Sequence, residues 1–296
     1  MFSLRQILQS FTPNLDILDI GAMIEGTPRY APIYDPDHTN LTLVEPNKKE
    51  ANNLKKIFSK NIRILEDYLG DGKSWQFHTT QYPGCSSIYE PDPEIINQFQ
   101  SIGTELNSNF AVIEKTIVQT ARLDNFSPSI LADLIKIDVQ GAELIVLENA
   151  KKVLRDTCVI ETEVEFIQLY KKQPLFGDLQ VFLKGMGFSF HKFIDVGSRC
   201  FRPMSFHDNQ FSGMSQMLWA DAIFIKDFSN FDYYTNDQLL KTAVIMHDIY
   251  SSFDFTYRLL KEFDSRNGTR YTKNYMKKLM LDQPLPRFML NLKETI

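Results

Sequence analysis

The chain has 296 residues, which is enough to bury a large core as one α/β domain or as a domain with an appendage. Its 43% hydrophobic and 23% charged residues are typical of a globular protein, and no apolar run approaches the roughly 20 residues of a membrane span. Residues 258–296 carry nine Lys or Arg and four Asp or Glu, a net charge of +5. Because the net charge of the whole chain is −5, the remaining residues carry a net charge of −10. This division argues against nucleic acid as a partner of the main body and leaves an anionic partner open for the tail.

Cysteine usage and the N-terminal residues indicate a compartment. Cys85, Cys158 and Cys200 are scattered, which predicts neither a disulfide framework nor a CxxC metal site. The first residues lack an apolar stretch of signal-peptide length. We therefore expect a protein of the reducing cytoplasm without a transmembrane segment.

The first half of the chain contains four predicted strands and one predicted helix. Apolar runs predict strands at 15–21, 41–46, 62–65 and 113–121, with a tight turn at 70–72 that leads into 74–79 and a long loop from 81 to 93. Asn47 is placed to cap a helix over residues 47–59.

The second half continues the alternation and then becomes helical. It contains predicted strands at 134–138, 158–164, 188–193 and 219–225, and predicted helices at 142–154 and 176–185. Such alternation indicates a mostly parallel, Rossmann-like α/β sheet with helices on both faces, and the final strand pair is the expected antiparallel edge. After Asp227 the pattern is helical and aromatic. We expect one domain over residues 1–228 and a C-terminal helical extension over residues 229–296.

Three carboxylates follow predicted parallel strands: Asp19, Glu45 and Asp138. In an open parallel sheet, ligands bind beyond the carboxyl ends of the strands, where the strand order reverses. Gly21 lets the backbone approach a ligand closely, and free N–H groups of its turn would receive a carboxylate. Glu45 lies 26 residues after Asp19, the position of an acid that accepts hydrogen bonds from both hydroxyls of a ribose. These positions suit either a dinucleotide or S-adenosylmethionine.

The glycine pattern separates the two cofactors. A pyrophosphate at a helix N-terminus requires G-x-G-x-x-G, whereas this chain has only Gly21 and Gly26, with the acidic Glu25 beside them. Three prolines between residues 28 and 36 interrupt the helix expected next. A sulfonium cofactor carries no phosphate, and its positive charge suits an acidic pocket. The pattern favours S-adenosylmethionine, with a nicotinamide dinucleotide as the alternative.

Longer motifs resemble those of the FkbM family of S-adenosylmethionine-dependent methyltransferases. The most specific is the run Lys136-Ile137-Asp138-Val139-Gln140-Gly141-Ala142-Glu143-Leu144-Ile145-Val146-Leu147. Other similar stretches are Asp19-Ile20-Gly21-Ala22, Val44-Glu45-Pro46, Glu161-Thr162-Glu163-Val164-Glu165-Phe166, Leu175-Phe176 and Gly187-Phe188. The resemblance covers residues 15–227 and excludes the tail. Met23 departs from it, because many family members have Asn there.

The resemblance implies a class I methyltransferase fold and methylation of a hydroxyl, often on a sugar, glycan or natural product. It implies that the Asp19–Ala22 turn cradles the methionine end of S-adenosyl-L-methionine, that Glu45 holds its ribose, and that Asp138 faces the methyl-transfer site. The residues expected to contact the cofactor are Asp19, Gly21, Ala22, Met23, Glu45, Pro46, Asp71, Asp138, Val139 and Gln140.

Methyl transfer requires an acceptor oxygen in line with the S–CH3 bond, exclusion of water and removal of the acceptor's proton. Asp138 is the first candidate for the base, with Glu163 and Glu165 behind it. Its alternative role is to cap the helix that begins near residue 141. Glu161, Glu163 and Glu165 share one face of a strand, where they either line a polar pocket or pair with lysines.

Two loops are further candidates for a role in catalysis. His207 lies in a loop rich in Gly, Asn and Ser that would fold over the acceptor, and the loop around Gly84 is flexible enough to form a lid. No residues have metal-ligand spacing, so no metal site is predicted.

The predicted basic helix at residues 270–280 is either a solvated face or a surface for an anionic glycan, a lipid head group or a second subunit, which leaves a homo-oligomer open. Three functions follow from the sequence. They are an O-methyltransferase with a small-molecule or glycan acceptor, a nicotinamide-dependent oxidoreductase, and a catalytically silent protein that binds the cofactor or a partner.

Overall fold

A computed structural model describes residues 2–24, 26–58, 60–127 and 129–282. Among them, seven strands form the main sheet, in the spatial order β3 (Ile62–Leu65), β2 (Thr39–Val44), β1 (Leu15–Ile20), β7 (Leu134–Ile137), β8 (Val159–Glu165), β10 (Met217–Lys226) and β9 (Phe188–Ser198). The predicted α/β fold with a mostly parallel, Rossmann-like sheet is confirmed. Glu25 and the end of the basic tail, with Arg287, Lys293 and Glu294, lie outside the described residues.

The order of the strands reverses between β1 and β7. On one side of β1 the sheet continues through β2 and β3, and on the other side through β7 and β8, all of them parallel. The crossover leaves a crevice at the carboxyl ends of β1 and β7, where ligands bind in sheets of this kind. Strand β10 runs antiparallel to both of its neighbours, β8 and β9. Of the final predicted strand pair, therefore, β10 alone opposes the main direction of the sheet.

The helices that accompany the sheet are α2 (Lys48–Ile57), α3 (Pro93–Ile96), α4 (Glu143–Glu148), α5 (Lys151–Leu154) and α6 (Phe176–Gly185). Helices α4, α5 and α6 share one apolar core with the central strands, whose side chains, such as Leu18, Ile135 and Ile160, are fully buried. The predicted cap of α2 is present, because the Asn47 side chain accepts a hydrogen bond from the Lys49 N–H at 3.0 Å.

The predicted helix over residues 142–154 is divided in two. The Asn149 amide donates to the Ile145 carbonyl at 2.8 Å, and the Asn149 carbonyl accepts from the Asp124 N–H at 3.0 Å. An Asn side chain that binds nearby backbone competes with continued helix. The break between α4 and α5 was therefore missed because a tertiary contact outweighs the apolar periodicity.

A second, smaller sheet has the spatial order β4 (Tyr68–Leu69), β6 (Val112–Ala121) and β5 (Ser74–Thr80). The predicted strand at 113–121 is present, but it pairs here, antiparallel to β5 and parallel to β4, and not in the main sheet.

The segment that joins β1 to β2 contains a 3-10 turn at Ala31–Ile33 and, in its described part, no α-helix. This agrees with the effect expected of its prolines. The segment brings Arg29 and Tyr30 to the crevice.

Residues 2–13 and 234–282 form a separate compact unit with α1 (Arg5–Leu8), α7 (Asn236–Asp248), α8 (Phe253–Asn267) and α9 (Tyr271–Asp282). A helical C-terminal region was predicted. The predicted division assigns the N-terminal residues to the sheet domain, whereas here the Ser3 hydroxyl donates to the Asp248 carboxylate at 2.7 Å. None of the described helices has the length and apolar character that a membrane crossing requires.

Candidate functional site

A cavity of about 560 Å³ occupies the crevice at the carboxyl ends of β1, β2 and β7. This volume is within the usual range for a small-molecule site. Its charged lining consists of the carboxylates Asp19, Glu45, Asp67, Asp138, Asp195 and Asp221 and the cationic side chains Arg29 and Lys136. The wall is therefore predominantly acidic, as the sequence predicted.

Gly21 marks the turn at the end of β1. Its φ is +78°, and a Cβ atom there would lie 1.8 Å from the Asp138 carbonyl oxygen, so the approach of the two strand ends requires glycine. The N–H groups of Gly21 and Ala22 both donate to the Val44 carbonyl, at 3.0 and 3.1 Å. The prediction that this turn offers free N–H groups to a ligand was wrong for these two residues.

Asp19 is buried at the end of β1 and already has two partners. The Tyr30 hydroxyl donates to one carboxylate oxygen at 2.7 Å, and Lys136 Nζ lies 3.3 Å from the other. Burial lowers the pKa of Lys136, but the negative charges of Asp19, Asp138 and Glu161 raise it above its ordinary value. Lys136 is therefore a permanent cation at the base of the cavity.

Glu45 follows β2 and is 6% exposed. Its Oε1 accepts a hydrogen bond from the Asn47 N–H at 2.7 Å. Burial raises the pKa of this carboxyl to about 7, and the charges of Glu50 and Asp19 act in the same direction. Near neutral pH, Glu45 is thus poised between its neutral and charged forms.

Asp138 follows β7 and is held by Gln140. The Gln140 Nε2 donates to Asp138 Oδ1 at 2.8 Å and to Glu163 Oε2 at 2.9 Å. Gln140 has a positive φ of 56° and is itself fixed by the hydroxyls of Ser87 and Tyr170, at 2.7 and 3.0 Å. A strained residue fixed in this way orients two carboxylates at once.

The alternative role of Asp138 as a helix cap was wrong. Helix α4 begins at Glu143 with Ala142 as its N-cap residue. It is Glu143 whose Oε1 accepts hydrogen bonds from the N–H groups of Val139 and Gly141, at 2.8 and 3.2 Å.

Folding brings Asp138, Glu143 and Glu163 together, with one potential ligand atom of each within 4.8 Å of the others. Burial, followed by the charge of Asp138, raises the pKa of Glu143 to about 7 and the pKa of Glu163 well above its ordinary value. No metal site was predicted, because Glu143 and Glu163 are 20 positions apart in the sequence and come together only when β8 pairs with β7.

Arg29 connects the segment before β2 to three strands. Its guanidinium makes ion pairs with Glu161 on β8, with Asp195 on β9 and, at 2.5 Å, with Asp221 on β10. Of the two roles expected for the β8 acids, Glu161 thus has an ion pair, with Arg instead of Lys, whereas Glu163 accepts a hydrogen bond from Gln140, which lines the cavity.

Nine of the predicted site residues line the cavity, and four others do not. Those that line it are Asp19, Gly21, Ala22, Met23, Glu45, Pro46, Asp138, Val139 and Gln140. Glu163 accepts a hydrogen bond from the Gln140 amide, and Glu165 is buried at the end of β8. Asp71 instead shapes the turn before β5, where it accepts from the Trp75 indole at 2.9 Å. His207 is exposed and stacks on Phe206, with ring centroids 4.1 Å apart.

Sequence reasoning missed several residues that line the cavity, among them Arg29, Asp67, Tyr68 and Lys136. A signal for Asp67 was present, since it follows a predicted strand as Glu45 does. The loop around Gly84 does line the cavity.

Residues 19–190 match the family model described as the methyltransferase FkbM domain. No curated protein matches the chain. Among solved structures, magnesium protoporphyrin IX methyltransferase from Synechocystis PCC 6803 with bound SAM is 9% identical, with 76% of each chain covered and a TM-score of 0.34. The 23S rRNA methyltransferase ErmE is 12% identical over 82% of this chain and 76% of its own, with a TM-score of 0.34. A SAM-dependent methyltransferase from Aquifex aeolicus is 11% identical over 76% and 90%, with a TM-score of 0.31.

The family match covers more than half of the chain and includes the ends of β1, β2 and β7 that surround the cavity. The chain belongs to the FkbM family of S-adenosylmethionine-dependent methyltransferases.

Proposed function

We propose that this protein transfers the methyl group of S-adenosylmethionine to a hydroxyl of a sugar, glycan or natural product. The observation that carries the proposal is the acidic cavity at the strand-order reversal, where Asp19, Glu45 and Asp138 approach from three adjacent strands.

The cofactor is assigned to the side of the cavity nearest β1 and β2. Glu45, which lies at the end of β2, accepts hydrogen bonds from the ribose hydroxyls when it is ionised. The methionine end lies at the β1 turn, with Ala22 and Met23 in contact, and its ammonium group is attracted by the acidic wall. Because both oxygens of Asp19 already have partners, this carboxylate acts on the ammonium through its charge.

The reaction requires one proton acceptor beside the methyl group. The acceptor oxygen forms a bond to the methyl carbon while the S–C bond breaks and its electron pair returns to sulfur, giving S-adenosylhomocysteine. The hydroxyl proton passes to Asp138, whose position is fixed by the Gln140 amide. Glu163 lies on the other side of the same amide and supports this geometry.

The charge of the site favours a neutral acceptor over a nucleic acid. Six carboxylates and two cationic side chains line the cavity, and a phosphate backbone would be repelled by such a wall. A sugar or natural-product hydroxyl brings no charge, while the sulfonium of the cofactor is attracted.

The proposal is tested with the Asp138→Asn variant. We expect S-adenosylhomocysteine to bind the variant as it binds the wild type, and methyl transfer to fall on the order of 10²- to 10⁴-fold, because the base is lost while the cofactor contacts remain. Calorimetry measures the binding, and mass spectrometry of a host carbohydrate pool incubated with labelled cofactor measures the transfer.

The exposed Asp232 provides the control, since Asp232→Asn removes the same charge outside the cavity. Equal transfer by wild type and Asp138→Asn would refute the base assignment. Binding of S-adenosylhomocysteine without transfer to any hydroxyl would favour a catalytically silent relative.

A further inference from the structure

The methionine end of S-adenosylmethionine carries two opposite charges, and the acidic wall of the cavity suits only one of them. The ammonium group is attracted by the carboxylates, whereas the carboxylate group is repelled by them. The first two residues of the β1 turn offer it no donor, because the N–H groups of Gly21 and Ala22 both donate to the Val44 carbonyl. A cationic side chain in the cavity is the partner that offsets the repulsion.

Two cationic side chains, Arg29 and Lys136, are among the described residues that line the cavity. The Arg29 guanidinium is already paired with the carboxylates of Glu161, Asp195 and Asp221. These acids belong to β8, β9 and β10, which follow β7 in the sheet on the side away from β1. Arg29 is thus committed to carboxylates on strands that do not adjoin the β1 turn.

Lys136 belongs to β7, which lies directly beside β1, and its backbone is in register with that of Asp19. Its Nζ lies 3.3 Å from one Asp19 oxygen, which is the one hydrogen bond that this ammonium makes to the described residues. An ammonium group has three N–H donors, so two of them remain for a ligand. Because the side chain is 23% exposed and lines the cavity, these donors are available there.

The charges around Lys136 match those of a zwitterion. Asp19 lies beside its ammonium group, and the charges of Asp138 and Glu161 also act on it. An amino-acid group bound here places its ammonium among carboxylates and its carboxylate against a cation, where charge-assisted hydrogen bonds form. We propose that Lys136 binds the carboxylate of the methionine end of S-adenosylmethionine, while Asp19 acts on the ammonium.

This assignment rests on the proposed function for the identity of the cofactor and makes no use of the acceptor. The test compares two ligands of the full-length protein by titration calorimetry. One is S-adenosylhomocysteine, and the other is its decarboxylated analogue, in which hydrogen replaces the carboxylate. We expect the wild type to bind S-adenosylhomocysteine about tenfold or more tightly than the analogue, because the analogue forms no charge-assisted hydrogen bond with Lys136.

Lys136→Met should weaken the binding of S-adenosylhomocysteine about tenfold or more and remove the preference for it over the analogue. The affinity for the analogue should be unchanged or higher, because Asp19 is then free of a competing cation. Binding of the analogue also shows that the variant is folded. If Lys136→Met does not fold, Lys136→Gln, which keeps a donor beside Asp19 but no charge, should lose the same preference.

Lys184→Met provides the control, since it removes an exposed cation of α6 outside the cavity and should leave both affinities unchanged. A purely structural role of Lys136 would weaken both ligands equally in Lys136→Met, which would overturn the assignment. Equal affinities of the wild type for the two ligands would overturn it as well and leave the proposed function standing. Wild-type protein that binds neither ligand would refute the proposed function and this subsite with it.

Discussion

Glu45 shows how a single buried carboxyl links cofactor binding to pH. Burial raises its pKa in the folded protein to about 7, above the ordinary value of 4.5. Between these values the folded state binds more protons than the unfolded state, so this residue lowers the free energy of unfolding as pH rises from 4.5 to 7. The ribose hydroxyls donate to the charged form. Cofactor binding therefore has the opposite trend and strengthens as pH rises through 7.

This linkage predicts that S-adenosylhomocysteine binds about tenfold more weakly at pH 6 than at pH 8, because a carboxyl with a pKa of about 7 is mostly neutral at the lower pH. Titration calorimetry at both pH values measures the change. Glu45→Gln should bind more weakly overall and lose the pH dependence. If the variant retained the full dependence, another group would be responsible.

Gly21 was the residue whose role the sequence predicted most directly. A glycine after a short apolar strand indicates a close approach of the backbone, and the approach is to the Asp138 carbonyl at the neighbouring strand end. The hydrogen bonds of the turn were not predictable in the same way. They depend on the register of β1 against β2, which places the Val44 carbonyl beside both N–H groups.

At the scale of elements, the segment between β1 and β2 is fixed by Arg29. The Glu161 side chain that pairs with it is 4% exposed, while Arg29 is 30% exposed and Asp195 is 76% exposed. Loss of the guanidinium would remove the ion pair that Arg29 makes with the buried Glu161 carboxylate. The exposed part of the network contributes little, because solvent screens it.

We therefore expect Arg29→Met to lower the free energy of unfolding by on the order of 2 kcal/mol, less than for a fully buried pair because Arg29 is partly solvated. Asp195→Asn, the matched control, should change it by less than about 1 kcal/mol. Urea unfolding of the two variants measures both effects. Equal losses would show that the ion pair with Glu161 contributes no more to the free energy of unfolding than the exposed pair with Asp195.

The secondary-structure elements were predicted more securely than the strands with which each of them pairs. The alternation at residues 113–121 correctly predicted a strand, but its place in the small sheet is decided by pairing with β5 and β4. The contact of Asp138 with Glu163 likewise requires β7 and β8 to be adjacent and in a particular register. Local sequence specifies which residues form strands, while long-range packing selects which strands meet.

At the scale of the whole molecule, the two compact units differ in their relation to the site. Every described residue that lines the cavity lies between Asp19 and Asp221, within the unit formed by residues 14–233. The helical unit has its own apolar core, with Leu259 fully buried in α8. Stability and cofactor affinity can therefore be changed separately.

Leu259→Ala should lower the free energy of unfolding by about 2 to 5 kcal/mol, because it leaves a cavity in a packed core. The dissociation constant for S-adenosylhomocysteine, measured by calorimetry below the unfolding temperature, should stay unchanged. Val181→Ala, at a 75% exposed position of α6, should alter neither quantity. A weaker affinity in Leu259→Ala would show that the helical unit contributes to the site.

The contacts of Asp19 with Tyr30 and Lys136 constrain how this protein can evolve. Replacement of Asp19 by an apolar residue would take from the Lys136 ammonium the carboxylate that pairs with it, and loss of Lys136 would leave a buried carboxylate with a single hydroxyl donor. Neither step is neutral alone. We therefore expect substitutions at Asp19 and Lys136 to compensate each other, so that a double variant loses less stability than the sum of the two single variants.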